Sequence, residues 1–182
     1  GGIFESEIYD SPFEIEFDSY HGLGLEFELA MEIGEDLDSK SIKFDKNNVL
    51  DYISNIYSAF ELIIDRNADY KNIDALSMAS DNVWCAGIIL GNPIENWKNI
   101  DFDTLKSTLF WNEESPQEAI IKDANPFDTL AWVINLRLSL NLNIPKGSKI
   151  ITGSVIKTRS PKKGDVVTYN VDNLSETKIR LI

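Results

Sequence analysis

The stretch GLEFELAMEIGEDL, Gly24 to Leu37, decides how this chain is read. Leu25, Phe27, Leu29 and Met31 fall on one alternating set, and Glu26, Glu28 and Glu32 fall on the other. A period of two marks a strand, whose successive side chains point to opposite faces. The pattern predicts one apolar face for a core and one face of carboxylates. Gly34 and Asp36 end the run as turn residues. Residues two apart in a strand lie about 6.6 Å from each other on one face. Glu26 and Glu28 could thus bracket one hard cation, each giving an oxygen. A solvated acidic sheet face would alternate in the same way.

Upstream, FEIEF (Phe13 to Phe17) alternates too, and His21-Gly22-Leu23-Gly24 permits a bend, so residues 3 to 33 are expected to be extended. Downstream, Val49, Leu50, Ile53, Ile56, Tyr57 and Phe60 recur at steps of three and four. That spacing predicts a helix capped by Asn47 or Asn48, with a strand beginning only at Phe60 to Ile64. Residues 65 to 82 read as a polar loop with a short helix, and VWCAGIILG (Val83 to Gly91) as a buried strand. TLKSTLFWN and QEAIIKDA form a hairpin pair. Asn125, Pro126 and Asp128 then open a helix that stops near Pro145. KIITGSV, GDVVTYNV and KIRLI are short strands. The class is α+β, with residues 1 to 182 expected to form one domain.

Thirty acidic against seventeen basic residues leave a net charge of −13. Phosphate backbones and anionic lipid demand clustered Lys and Arg, so neither nucleic acid nor a membrane surface is an expected partner. One cysteine, Cys85, rules out an intrachain disulfide and suits a reducing cytoplasm. It sits in an apolar run and reads as core. No apolar run approaches the roughly 20 residues of a membrane span. His21 is the sole histidine and has no partner for a zinc site.

Three further places could carry chemistry. Glu61 interrupts the apolar run Phe60-Glu61-Leu62-Ile63-Ile64 and is either wet or buried with a partner. With Glu26 and Glu28 it would complete an oxygen set that leaves positions open for a chelating substrate. Thr152-Gly153-Ser154 offers hydroxyls beside exposed backbone, a cradle of carboxylate size or a plain strand-to-turn transition. Asp81-Asn82 could orient a substrate or start a turn.

Taken in order, five segments resemble the fumarylacetoacetate hydrolase superfamily, in particular its 2-keto-4-pentenoate hydratase and 4-oxalocrotonate decarboxylase branch. LEFELAMEIGEDL is similar to an E-x-E strand followed by G-x-D-L, and AFELI to a downstream metal-ligand Glu. SDNVWCAGIILG, NPFDTLAWVINL and KIITGSVIKTRSPKKGDVV match the Asp-Asn, Ala-Trp and Thr-Gly-Ser segments. The likeness covers roughly residues 20 to 182. Relatives carry an additional N-terminal segment with a lysine, and the chain is expected to begin after it.

The resemblance implies a mixed β-sheet roll of the C-terminal-domain type with a few flanking helices, assembled as a homo-oligomer. It implies Mg²⁺ or Mn²⁺ held by Glu26, Glu28 and Glu61, with Asp81 and Asn82 as catalytic residues. Thr152, Ser154 and Trp84 would bind a small 2-keto acid such as 2-hydroxypenta-2,4-dienoate. The implied reaction is a lyase step through a metal-stabilised enolate, by water addition or CO₂ loss, in the breakdown of aromatic compounds. Relatives carry small and hydroxyl residues where this chain has Val83, Trp84 and Cys85. A repurposed homologue, acting as a structural or binding subunit, is the alternative reading.

Overall fold

A computed structural model describes residues 1–39 and 42–182. Its strands are β1 (Ile8–Asp10), β2 (Phe13–Ile15), β3 (Leu23–Ile33), β4 (Ile53–Ile64), β5 (Cys85–Pro93), β6 (Lys106–Trp111), β7 (Gln117–Ile120), β8 (Lys149–Ile151), β9 (Val166–Val171) and β10 (Ser175–Leu181). The α-helices are α1 (Ala75–Ser80) and α2 (Pro126–Ser139). One sheet runs β1-β5-β4-β3-β8 and the other β2-β10-β9-β6-β7. The β1–β5 and β2–β10 pairs are parallel and the remaining pairs antiparallel, so both sheets are mixed. The α+β class and the β6–β7 hairpin match the sequence expectation.

The helix expected from Val49 to Phe60 is not there. Only Asn48–Tyr52 turns, as a 3-10 segment, and Ile53–Ile64 is a strand paired along its length with β3. Ile56, Phe60 and Leu62 face the core, while Ala59 and neighbouring Tyr57 pack on the opposite face. Apolar side chains on both faces blur the period of two and imitate a helical one. The β-branched and aromatic content favours the strand.

β3 lies between β4 and β8 and organises the core. Leu25, Phe27, Leu29, Met31 and Ile33 point inward and are buried against the second sheet. Phe27 pairs in register with Phe60, their rings edge-on at 5.7 Å, and both meet Tyr169 of β9. At the seam between the sheets, the buried hydroxyl of Ser58 is bonded to those of Ser175 and Thr177 at 2.8 and 2.7 Å. That satisfies hydroxyls that would otherwise destabilise the interior.

α2 packs Leu130, Ala131, Ile134 and Leu138 into the core. Asn135 pins it, accepting from the Phe44 amide at 3.0 Å and donating to the Phe44 carbonyl at 2.8 Å. Asn125 occupies the cap position in a left-handed conformation with no side-chain capping bond, so Pro126 and position rather than a hydrogen bond set the helix start. No helix of the described residues is long and apolar enough to cross a membrane.

Candidate metal centre

The outer face of β3 carries Glu26, Glu28, Ala30 and Glu32. Register sets Glu26 directly opposite Glu61 of β4 and Glu28 opposite Ala59. Glu61 thus joins the E-x-E pair across one strand spacing, and the small Ala59 leaves room for the longer carboxylates. One oxygen from each of Glu26, Glu28 and Glu61 lies within 4.8 Å of the others.

Each carboxylate has a different neighbour. Thr158 donates its hydroxyl to Glu26 Oε1 at 2.5 Å. The Gly153 amide donates to Glu28 Oε2 at 2.7 Å. The Cys85 side chain lies beside Glu61 in the same cleft. Such contacts fix ligand orientation in metal sites. Glu28 is only 3% exposed. Burial first, then the charge of Glu61, pushes its pKa well above the carboxylate range. Burial raises Glu61 as well, with Glu26 adding to it. Three carboxylates gathered in one cleft repel one another, and their hard oxygen donors fit a divalent cation such as Mg²⁺.

The three acids line an open cleft of about 1310 Å³ that also touches Trp84, Cys85, Val133, Arg137 and Lys149. Trp84 stands at its edge with its ring against Tyr70 at 5.6 Å. Asn82, Val83 and Trp84 all have positive φ, of 52°, 52° and 65°. For a β-branched residue such as Val83 that backbone is strained.

The other expected site residues take different places. Asp81 caps the end of α1 and pairs with Arg66, and it does not line the cleft. Asn82 uses its side chain to hold Gly2, accepting from its amide at 2.6 Å and donating to its carbonyl at 2.8 Å. Thr152 is buried, its hydroxyl 3.5 Å from the Leu29 carbonyl. The Ser154 hydroxyl accepts from the Phe27 amide at 2.7 Å and donates to the Ile156 carbonyl at 2.7 Å. In Thr-Gly-Ser it is therefore the glycine between the hydroxyls that reaches the acids. The pairing of Ile151 with Ala30 sets this, since residue 153 continues the parity of Ile151. Thr158 and Lys149 lie inside the KIITGSVIKTRSPKKGDVV segment but outside its Thr-Gly-Ser core, and nothing in their spacing singled them out.

The fold and this geometry define a class: an α+β roll of two mixed sheets with a candidate divalent-cation site on an outer sheet face. No family model matches the chain. It is 24% identical over 139 residues to 4-oxalocrotonate decarboxylase of Pseudomonas putida, covering 74% of this chain and 52% of that protein. It is 24% identical over 194 residues to 2-oxo-hept-4-ene-1,7-dioate hydratase of Escherichia coli, covering 100% of this chain and 70% of that protein. Its fold superposes with a TM-score of 0.86, at 19% identity, on 4-oxalocrotonate decarboxylase from Pseudomonas putida G7 complexed with magnesium and adipate. That match covers 98% of this chain and 67% of the other. The chain spans about half the length of the decarboxylase it matches in sequence, 52%. Sequence and structure neighbours point to the fumarylacetoacetate hydrolase superfamily, in its decarboxylase and hydratase branch, as the five sequence segments did.

Proposed function

We propose that the chain is a divalent-metal-dependent lyase, a hydratase or decarboxylase, acting on a small 2-keto or 2-hydroxydienoic acid. The convergence of Glu26, Glu28 and Glu61 within 4.8 Å in a cleft carries this reading. Support comes from relatives named as a decarboxylase and a hydratase, and from a similar fold solved with magnesium. Glu26, Glu28 and Glu61 would hold Mg²⁺ or Mn²⁺. When bound, such an ion supplies Lewis-acid polarisation of the substrate's keto oxygen.

The chain's own residues do the rest. Gly153 and Thr158 keep Glu28 and Glu26 aimed inward through the bonds described above. Trp84 borders the cleft and narrows the approach of substrate. Asp81 and Asn82 act in this reading by shaping that border: Asp81 by its pairing with Arg66, Asn82 by fixing the N-terminal residues beside the cleft. Thr152 and Ser154 brace the β3 backbone on which Glu28 rides. A homo-oligomer belongs to the same reading, supported by the exposed Trp132 and Leu136 on α2 and Leu140 just past its end, and so does a cytoplasmic location.

The test is thermal unfolding with and without Mg²⁺, for the parent and for Glu26→Gln/Glu28→Gln, then with oxalate added as a chelating keto-acid mimic. The parent alone should gain stability from Mg²⁺, and more from Mg²⁺ with oxalate. A parent indifferent to Mg²⁺ would sink the reading. A response to Mg²⁺ but none to oxalate would favour the repurposed alternative.

A further inference from the structure

Residues 1–7 precede the first strand and form one wall of the cleft, where Gly1, Gly2, Ile3 and Glu5 join the three glutamates in its lining. β1 follows and pairs in parallel with β5, Ile8 beside Ile88. Upstream of that pair the two segments stay in contact. Gly87 has φ of 125°, and an added Cβ there would come within 2.5 Å of the Glu7 carbonyl oxygen, so glycine is what admits the segment.

Further upstream the hold is slight. Residues 5–7 make a 3-10 turn whose bonds stay inside the segment: the Glu7 amide donates to the Phe4 carbonyl at 2.9 Å, and the Phe4 amide to Glu7 Oε2 at 3.2 Å. Phe4 itself is 66% exposed. Ile3 rests on the small apolar patch of Ala30, Ala59, Ile88 and Leu90. Ahead of it the Asn82 side chain takes both backbone groups of Gly2, the amide at 2.6 Å and the carbonyl at 2.8 Å. Among the described residues no other side chain bonds the backbone of Gly2 or Ile3. Two exposed bonds of this kind contribute little net, because water competes for the same groups. Segments held in this way open locally before the rest of a fold does.

The clasp is mounted on a strained turn. Asn82, Val83 and Trp84 carry consecutive positive φ values, which Asn tolerates and a β-branched Val does not. That turn aims Asn82 at Gly2 and sets Trp84 at the cleft edge against Tyr70. Such strain persists only where the surroundings hold it. The clasp holds one end of the turn and the Tyr70 ring meets the other. Letting go of Gly2 therefore frees the wall of the cleft and the turn that carries Trp84 together.

We propose that Asn82 is the latch of a strap, residues 1–7, whose release widens the cleft for a ligand and whose closure narrows it around one. The latch goes beyond the metal-centred reading and needs no ion to operate.

Cys85 is a built-in reporter, since it is the chain's sole cysteine, lines the same cleft and is 9% exposed. The experiment follows its alkylation by iodoacetamide, a small neutral reagent, by mass spectrometry at one pH and without metal. Where opening and closing are faster than alkylation, the rate reads the population of the open form. Asn82→Gly deletes the clasp and keeps the left-handed backbone accessible. It should raise the rate about tenfold, the size of two ordinary exposed hydrogen bonds. Gly2→Pro removes the N–H from the other side of the clasp and should raise the rate by a smaller factor. The two substitutions together should do no more than Asn82→Gly alone, because they break one contact. The denaturation midpoint should stay at the parent's value throughout. An unchanged rate in Asn82→Gly, or increments that multiply when combined, overturns the latch. So does a faster rate matched by an equal fall in global stability, since alkylation would then read unfolding of the whole chain.

Discussion

Replacing Glu28 by Gln should make the metal-free chain more stable and the metal-loaded chain less so. Glu28 is 3% exposed, and its oxygen lies within 4.8 Å of oxygens of Glu26 and Glu61. At an effective dielectric near 20, two unit charges 4.8 Å apart repel by about 3 kcal/mol. Proton uptake offers a cheaper escape near neutral pH, so the penalty stays below the sum over both neighbours. Gln keeps the shape and removes the charge, while weakening the bond from the Gly153 amide by about 1 kcal/mol. The net gain without metal is about 2 kcal/mol. For a chain of 182 residues that raises Tm by about 4–8 °C.

The effect has a defined pH course. Burial and the charge of Glu61 raise the Glu28 pKa in the folded chain above its unfolded value. The stability contributed by its proton is therefore complete below the unfolded pKa and is lost as pH rises through the folded one. The advantage of Gln should widen from about pH 5 to pH 8 and vanish below about pH 4. Mg²⁺ at a hundred times its Kd stabilises the parent by about 2.7 kcal/mol, which reverses the order of the two chains. Scanning calorimetry of both chains in EDTA and in Mg²⁺ across that range is the assay. A variant that melts lower in EDTA, or that gains from Mg²⁺ as much as the parent, refutes the account of this site.

Three further outcomes are expected. Thr158→Val removes the hydroxyl that holds Glu26 Oε1 and should weaken Mg²⁺ binding about tenfold by calorimetry, with little change in Tm. Phe60→Ala empties space between Phe27 and Tyr169 and should cost about 4 kcal/mol, read as a denaturation midpoint shift at unchanged slope. Gly91→Ala would press a methyl against the Glu176 carbonyl and the hydroxyls of Ser58 and Thr177, so circular dichroism should show loss of the cooperative transition at the parent's Tm.

The alternation at Glu26 to Met31 was legible because β3 has two chemically distinct faces, and its period survives in the sequence. β4 hid itself for the opposite reason: Ile56 and Phe60 serve the inner face while Tyr57 and Ala59 pack outside, so the run looks helical. Glu61 was legible as an interruption of that apolar run, but its meeting with Glu26 depends on inter-strand register, which no local pattern encodes. The same limit applies to Thr-Gly-Ser. The hydroxyls draw attention, yet the backbone amide of Gly153 is what touches Glu28. Arg137 and Lys149 are more than ten residues apart in sequence, and only the packing of α2 beside β8 brings both to one cleft.

β3 anchors the core with its odd-numbered side chains and carries Glu26 and Glu28 on the reverse side of the same eleven residues. An insertion or deletion of one residue within it would turn the glutamates into the interior and the apolar side chains outward. Descendants of this sequence can therefore lose their acids one substitution at a time and still fold. They cannot lose them by a length change in this strand without losing the protein. Length variation should be confined to the loops, and relatives that abandon the site should differ in β3 by exchanged residues rather than by gaps.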